Sequence, residues 1–318
     1  MKRIKIAPEE GLAVYHCISR TVNGERLFDD AAREMFRKQM WQVAEYCGVR
    51  IITYAVLSNH FHLLVLVPRA VTVSDAELLR RYKLLYPQPT RYQVARLEVL
   101  EKKLTADAED MGAWRKQQLA MMGDVSQFMK LLKQRFSVWF NRTHDRYGTL
   151  WSERFKSVLV ENGPALRAVA AYIDLNPVRA GLSADPKDYR FCGYAEAVAG
   201  NQKARVSLAA ALEHTDWRLT HNAYRRMLYG GRRKVGVASL SAAQVEQVLR
   251  DGGALSAAEL LRCRLRYFTD GAVLGSKAFV SEQLERYRQH TGRRKYILPR
   301  PLPLTGELGG LTALRGQR

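Results

Sequence analysis

Two pairs of residues in this chain have the types and spacing to do chemistry. His60 and His62 stand two apart at the head of the apolar run His60 to Val67. Side chains alternate along a strand, so both imidazoles project from one face while Phe61 and Leu63 project from the other. Two imidazoles on one face can hold a metal ion, or they can be structural histidines whose ring nitrogens find protein partners. The second pair is Tyr172 and Asn176, four apart near the end of a helical stretch and therefore on one side of it. Tyr172 falls outside the stripe formed by Leu166, Val169, Ala170 and Ile173, a position that suits either a surface tyrosine or a reactive one. Asn176 precedes Pro177, which biases it toward a helix end. His16, His144, Tyr147 and Tyr189 lack a matching partner pattern, and Glu153 and Asp174 are carboxylates near these motifs without an assigned role.

The elements that must position these residues follow from periodicity. Leu12 to Arg20 alternates as a strand, and Asp29 or Asp30 opens a helix with Phe36, Met40, Val43 and Cys47 on one face and Gly48 at its end. Val49 to Leu57 and His60 to Val67, separated by Ser58-Asn59, predict a hairpin. Residues 73–123 read as an inserted helical arm. Asp124 and Gln127 resemble a capping box ahead of a helix carrying Val125, Phe128, Leu132, Phe136, Trp139 and Phe140. Phe155 to Val160 predicts a fourth strand, and Gly163-Pro164 starts the helix that holds Tyr172. This order predicts an α+β fold, an antiparallel sheet with helices on one face, within residues 1–186. Residues 187–298 read as a basic, mainly helical region, with Arg225, Arg226, Arg232, Arg233 and Lys234 clustered in it. Ser256 to Phe268 and Ser276 to Arg288 have the spacing of a DNA-binding helix-turn-helix, and 299–318 read as a loose tail.

The 51 Lys and Arg against 31 Asp and Glu leave a net charge of +20, which favours a polyanionic partner such as DNA or RNA. A membrane partner is disfavoured, because the run Leu63 to Val67 is far shorter than the roughly 20 residues of a spanning helix. Met1 to Glu10 carries no apolar segment of a leader. The expectation is a soluble, cytoplasmic, nucleoid-associated protein. Cys17, Cys47, Cys192 and Cys263 are scattered and read as buried reduced thiols.

His60-Phe61-His62 after Leu57-Ser58-Asn59, with the later run Tyr172-Ile173-Asp174-Leu175-Asn176-Pro177-Val178-Arg179-Ala180-Gly181-Leu182, resembles the HUH single-tyrosine transposases, and in particular the REP-associated tyrosine transposases. Tyr15-His16-Cys17-Ile18-Ser19-Arg20 and Leu150-Trp151-Ser152-Glu153-Arg154-Phe155-Lys156-Ser157 are similar to that family in the same order, so the resemblance spans about Leu12 to Leu182. It implies a ferredoxin-like nuclease core acting on single-stranded or hairpin DNA. It further implies Tyr172 as nucleophile, His60 and His62 with Asn176 as ligands of Mg²⁺ or Mn²⁺, and a 5′-phosphotyrosine product with a free 3′-OH. The chemistry agrees, since a phenol of ordinary pKa near about 10 needs an activated phosphate to attack. Insertion-sequence members usually carry Gln four residues after the tyrosine, where this chain has the shorter Asn176. Arg20, Arg154, Lys156 and Arg179 flank the motifs and could neutralise phosphates or be merely solvated. Trp151 and Phe155 could stack on bases or serve the core. A homodimer is a further expectation. The competing functions are a DNA-binding regulator without nuclease activity and an RNA-binding protein.

Overall fold

The computed structural model describes residues 11–68, 72–106, 111–229, 261, 267–291, 297–302 and 309–316. The fold is α+β, as its alternating and helical periods require. Strand β1 (Leu12–Arg20) leads through a short 3₁₀ turn at Val22–Gly24 into helix α1 (Asp30–Cys47). Asp29 caps α1 by accepting from the Ala32 amide at 2.7 Å, and Gly48 ends it at φ 66°, in the left-handed region where a side chain would be strained. Strands β2 (Arg50–Val56) and β3 (His60–Pro68) form the expected hairpin.

Among the described residues of 73–123 lie the helices α2 (Asp75–Leu84), α3 (Arg91–Thr105) and α4 (Met111–Leu119). The arm is not wholly solvated, because Leu78, Leu79, Tyr82, Leu100 and Met111 are buried. Helix α5 (Val125–Thr143) is capped by Asp124, which accepts from the amides of Ser126 and Gln127. The Gln127 half of the expected capping box is missing, since its buried Oε1 has no hydrogen-bond partner. After β4 (Lys156–Val160), helix α6 (Pro164–Asp174) runs almost directly into the short α7 (Asn176–Arg179).

The first four strands lie in the order β2-β3-β1-β4, all antiparallel, which is the split βαβ arrangement. Helices α1 and α5 cover one face, where Phe36 of α1 meets Phe61 of β3 at 4.5 Å between ring centroids and Phe136 of α5 at 5.2 Å. The expectation of helices on one face fails for α6. Tyr172 of α6 packs on His62, the residue after Phe61, and consecutive strand residues point to opposite faces. Helices therefore cover both faces, and the histidine face is the one beneath α6.

The C-terminal part departs further from expectation. Val273–Ser276 is strand β5, which pairs parallel to β4, and β7 (Leu311–Gly316) and β6 (Ile297–Pro301) extend the sheet to seven strands. Within 299–318, expected as a loose tail, the strand residues 299–301 and 311–316 have backbone hydrogen bonds met by the sheet. The joint before the helix Lys277–Thr291 contains β5, on which that helix packs, and the first helix of the expected helix-turn-helix falls mostly outside the described residues. Residues 230–260 and 262–266, with Arg232, Arg233, Lys234, Cys263 and most of the stretch Ser256 to Phe268, lie outside the described residues. The helices α8 (Gly193–Val198), α9 (Gln202–Ala211) and α10 (Trp217–Tyr229) pack near β2 and α6.

Asp174 fastens α6 to this surround. Its fully buried carboxyl accepts from Thr53 Oγ1 at 2.8 Å, from the Tyr194 amide at 3.2 Å and from the Tyr224 hydroxyl at 2.6 Å. Burial pushes this carboxyl up to about 7, against the pull of those same donors. Gly193 permits the close approach, since a Cβ there would lie 2.3 Å from Thr53 Oγ1. A buried donor stripped of its acceptor costs about 1–3 kcal/mol. Asp174→Ala, which strands three donors, is expected to lose about 3 kcal/mol or more in urea unfolding. Asp174→Asn, which retains an acceptor, is expected to lose clearly less.

Candidate active site

The site is set by the register of β1 against β3. Ile18 lies opposite His62 and Arg20 opposite His60. His16, two residues before Ile18, therefore shares the face of His62 as its diagonal neighbour, within reach of a long side chain. The ring centroids of His16 and His62 lie 5.1 Å apart with their planes inclined by 28°, and His16 Nε2 is 2.9 Å from His62 Nδ1, so the rings meet edge to edge. His16 Nδ1 in turn lies 2.8 Å from the carbonyl of Phe268. His60 sits 5.2 Å from His62 between ring centroids, half-buried, with its Nδ1 2.7 Å from Asn59 Oδ1.

Both buried histidines are neutral at neutral pH. Burial lowers His16 to about 4, against the opposing hydrogen bond to Phe268 and with help from the charge of Arg179. Burial likewise holds His62 well below the usual histidine range, aided by His16, His60, Arg179 and Arg20. A neutral imidazole is the form that can ligate a metal.

Tyr172 is brought to the same place, but not as a surface residue. It is 3% exposed, with its ring centroid 6.2 Å from His62 and 6.3 Å from His16. Phe268, from the short helix Tyr267–Asp270, lies 4.9 Å from it, and the Arg179 guanidinium sits 4.0 Å over its ring. The expected exposure fails because the tyrosine's side of α6 faces the histidine face of the sheet and is closed by residues distant in sequence. Asn176 is also buried. Its Nδ2 donates to the carbonyls of Tyr172 and Ile173 at 3.2 Å each, so its Oδ1 is the group left for a ligand role.

The basic residues divide. Arg20, Arg154 and Lys156 are exposed, and Arg20 lies at the end of β1 where Ser152 donates to its carbonyl. Lys156 is within 3.7 Å of Glu153 and 4.0 Å of Asp270. Arg179 is part-buried and engaged with the protein. It donates to the carbonyls of Leu261 at 2.6 Å and Tyr172 at 2.7 Å while covering the Tyr172 ring. Trp151 serves the core, with its Nε1 on Ser137 Oγ at 2.8 Å and its ring against Phe61 and Phe136, and Phe155 is buried. His144 bonds the Phe140 carbonyl and Tyr189 the Val56 carbonyl, while Tyr147 is 88% exposed. His16 and Phe268 are the neighbours that sequence reasoning missed. His16 had a readable signal, its parity with Ile18 along β1, but that parity matters only once the register is known.

Among the described residues, no group of three or more His, Cys, Asp and Glu side chains could hold a metal. A cation here would take two imidazoles from the chain and complete its shell with oxygens from an amide, water or phosphate. The donor set suits that arrangement. Asn59 is oriented by its Nδ2 donating to the Gly24 carbonyl at 2.9 Å, so its Oδ1 is turned as an acceptor toward His60 Nδ1.

Residues 11–97 match the model of the family described as transposase IS200 like. The matched segment contains β1, β2 and β3 with His16, His60 and His62, and ends before Tyr172. A solved structure described as the REP-associated tyrosine transposase bound to a REP hairpin is similar at 16% identity and a TM-score of 0.39, over 63% of this chain and 87% of that one. No curated protein matches. No helix among the described residues is long and apolar enough to cross a membrane.

The cover over Tyr172 is testable. A desolvated cation over an aromatic face contributes about 2 kcal/mol, and each 1.4 kcal/mol or so is a factor of about ten in an equilibrium. Nitration followed by peptide mass mapping should find Tyr172 protected in the wild type. In Arg179→Ala it should react about tenfold faster or more, with exposed Tyr147 unchanged as the internal control.

Proposed function

We propose that this chain, whose residues 11–97 match the model of the family described as transposase IS200 like, is a single-stranded DNA endonuclease and strand transferase with Tyr172 as its nucleophile. The observation that carries this reading is the meeting of Tyr172 with His62, 6.2 Å between ring centroids, beside a second histidine two residues away. All three come from one chain.

His60 and His62 through Nε2, with the Asn176 amide oxygen, would hold Mg²⁺ or Mn²⁺. A bound ion would supply Lewis-acid activation of the scissile phosphate. The Tyr172 oxygen attacks phosphorus, the phenolic proton leaves, and the bond to the 3′ oxygen breaks. That oxygen takes up a proton to become a free 3′-OH, while the 5′ phosphate stays on Tyr172. The phosphotyrosine retains the phosphodiester energy, so the 3′-OH of another strand reverses the step and completes transfer without a nucleotide cofactor. Since Tyr172 is 3% exposed, entry of the strand displaces Arg179 or Phe268 from its ring.

The net charge of +20 supports a nucleic-acid substrate. Exposed Arg20, across β1 and β3 from His60, with Arg154 and Lys156, would contact the phosphates approaching the site. Hairpin-containing repetitive DNA is the substrate that the family resemblance implies, and a DNA target would put the protein at the nucleoid.

Incubation with end-labelled single-stranded oligonucleotides and Mn²⁺, followed by a denaturing gel and peptide mapping, tests metal, polarity and nucleophile together. The wild type should form an adduct mapped to Tyr172. Tyr172→Phe should form none yet still bind the strand, and an adduct on that variant would sink the assignment. Chelation, His60→Ala or His62→Ala should abolish cleavage. In a salt titration, Arg20→Ala should weaken binding across all sequences and lower the slope of log K against log salt by about 0.7 for a single strand.

A further inference from the structure

The hydrogen bonds around His16 fix which nitrogen of His62 carries a proton. The carbonyl of Phe268 can only accept, so His16 Nδ1, 2.8 Å away, must carry a hydrogen. A neutral imidazole has one such hydrogen, which makes His16 Nε2 an acceptor. That nitrogen lies 2.9 Å from His62 Nδ1, which must then be the donor. His62 is left with a bare Nε2.

We propose that His16 is a positioning residue of the active site: anchored on the Phe268 carbonyl, it holds His62 in the Nδ1–H tautomer and turns its Nε2 lone pair toward the metal. The inference rests on the proposed nuclease function for its use of the metal, but the relay itself stands on geometry. It gives the two metal-facing histidines the same tautomer by two different routes. His60 receives it locally, from the Asn59 side chain next to it in sequence. His62 receives it from a strand 46 residues away and, through His16, from a carbonyl 252 residues beyond His16. Phe268 acts at two points, since its carbonyl ends the relay while its ring packs on Tyr172 at 4.9 Å. The C-terminal segment is thereby part of the catalytic centre.

A merely space-filling His16 would stabilise the core without dictating the state of His62. Loss of an outer partner that orients a metal-bound histidine typically lowers metal affinity about 10–100-fold. The test uses the full chain labelled with ¹⁵N-histidine, without metal at neutral pH, in long-range ¹H–¹⁵N correlation spectra. His62 is assigned by the signals missing in His62→Gln. The wild type should show His62 protonated at Nδ1 and bare at Nε2, a measurement that needs no variant at His16. In His16→Leu, His62 should lose that state, and affinity for Mn²⁺, read by the electron paramagnetic resonance of free ion, should fall about 10–100-fold. His16→Gln, whose amide can both accept and donate, should recover part of both. Folding is checked by unchanged signals of His144 and His221.

A wild-type His62 protonated at Nε2, or a folded His16→Leu with unchanged tautomer and Mn²⁺ affinity, overturns the relay. If that happens while the wild type still forms the Tyr172 adduct, the nuclease reading survives. A relay found intact in a protein that takes up no Mn²⁺ and forms no adduct supports the geometry and overturns the nuclease reading instead.

Discussion

The antiparallel register of β1 against β3 is the constraint on which the rest depends. Sliding one strand by a single residue would turn its whole set of side chains to the other face. Here the register puts Ile18 opposite His62, and so sets His16 diagonal to it on the face beneath α6. The other face of the same strands carries Phe61 and Cys17 into the core under α1 and α5. The strong apolar demand on that side fixes the polar content of the opposite side. Three histidines are thereby committed to one surface by the packing of residues that do no chemistry.

Helix α6 completes that surface, and its placement is polar as well as apolar. Asp174 holds the helix end against β2 through Thr53 and against α8 and α10 through Tyr194 and Tyr224. Two residues earlier on the same helix is Tyr172. A buried carboxyl with three donors is directional, so it sets where the helix end lies in a way that oily contacts alone do not. Arg179 adds a second tie by bonding the Tyr172 carbonyl and covering its ring. The nucleophile candidate is thus held on both sides.

The C-terminal strands alter the meaning of the molecule's organisation. Strand β5 pairs with β4, and the helix Lys277–Thr291 closes a small apolar cluster of Ala13, Leu159, Val273, Val280, Leu284 and Leu314 over the extended sheet. Phe268, just ahead of β5, then reaches both His16 and Tyr172. A chain segment far from the histidine and tyrosine motifs is built into the site by pairing with the sheet edge that a four-stranded core leaves open.

Local pattern by itself determined much of this protein. Alternation and helical spacing placed β1, the β2–β3 hairpin, α1, α5, β4 and α6 nearly as observed, because each period is a property of neighbouring residues. The shared face of His60 and His62 was equally legible, and the helix end expected at Asn176 falls at Asp174, with Asn176 opening α7. Tertiary structure alone decided the burial of Tyr172, the placement of Arg179 over its ring and the core contacts of Trp151. Each depends on which element covers which, and the covering residues are far away in sequence. It also decided that His16 belongs with His62, since parity along one strand says nothing of the partner strand's register. The stretch 299–318, rich in Pro, Leu and Gly, read as loose because its strands pair mainly with chain distant in sequence or with each other, and non-local hydrogen bonding leaves no local period to read.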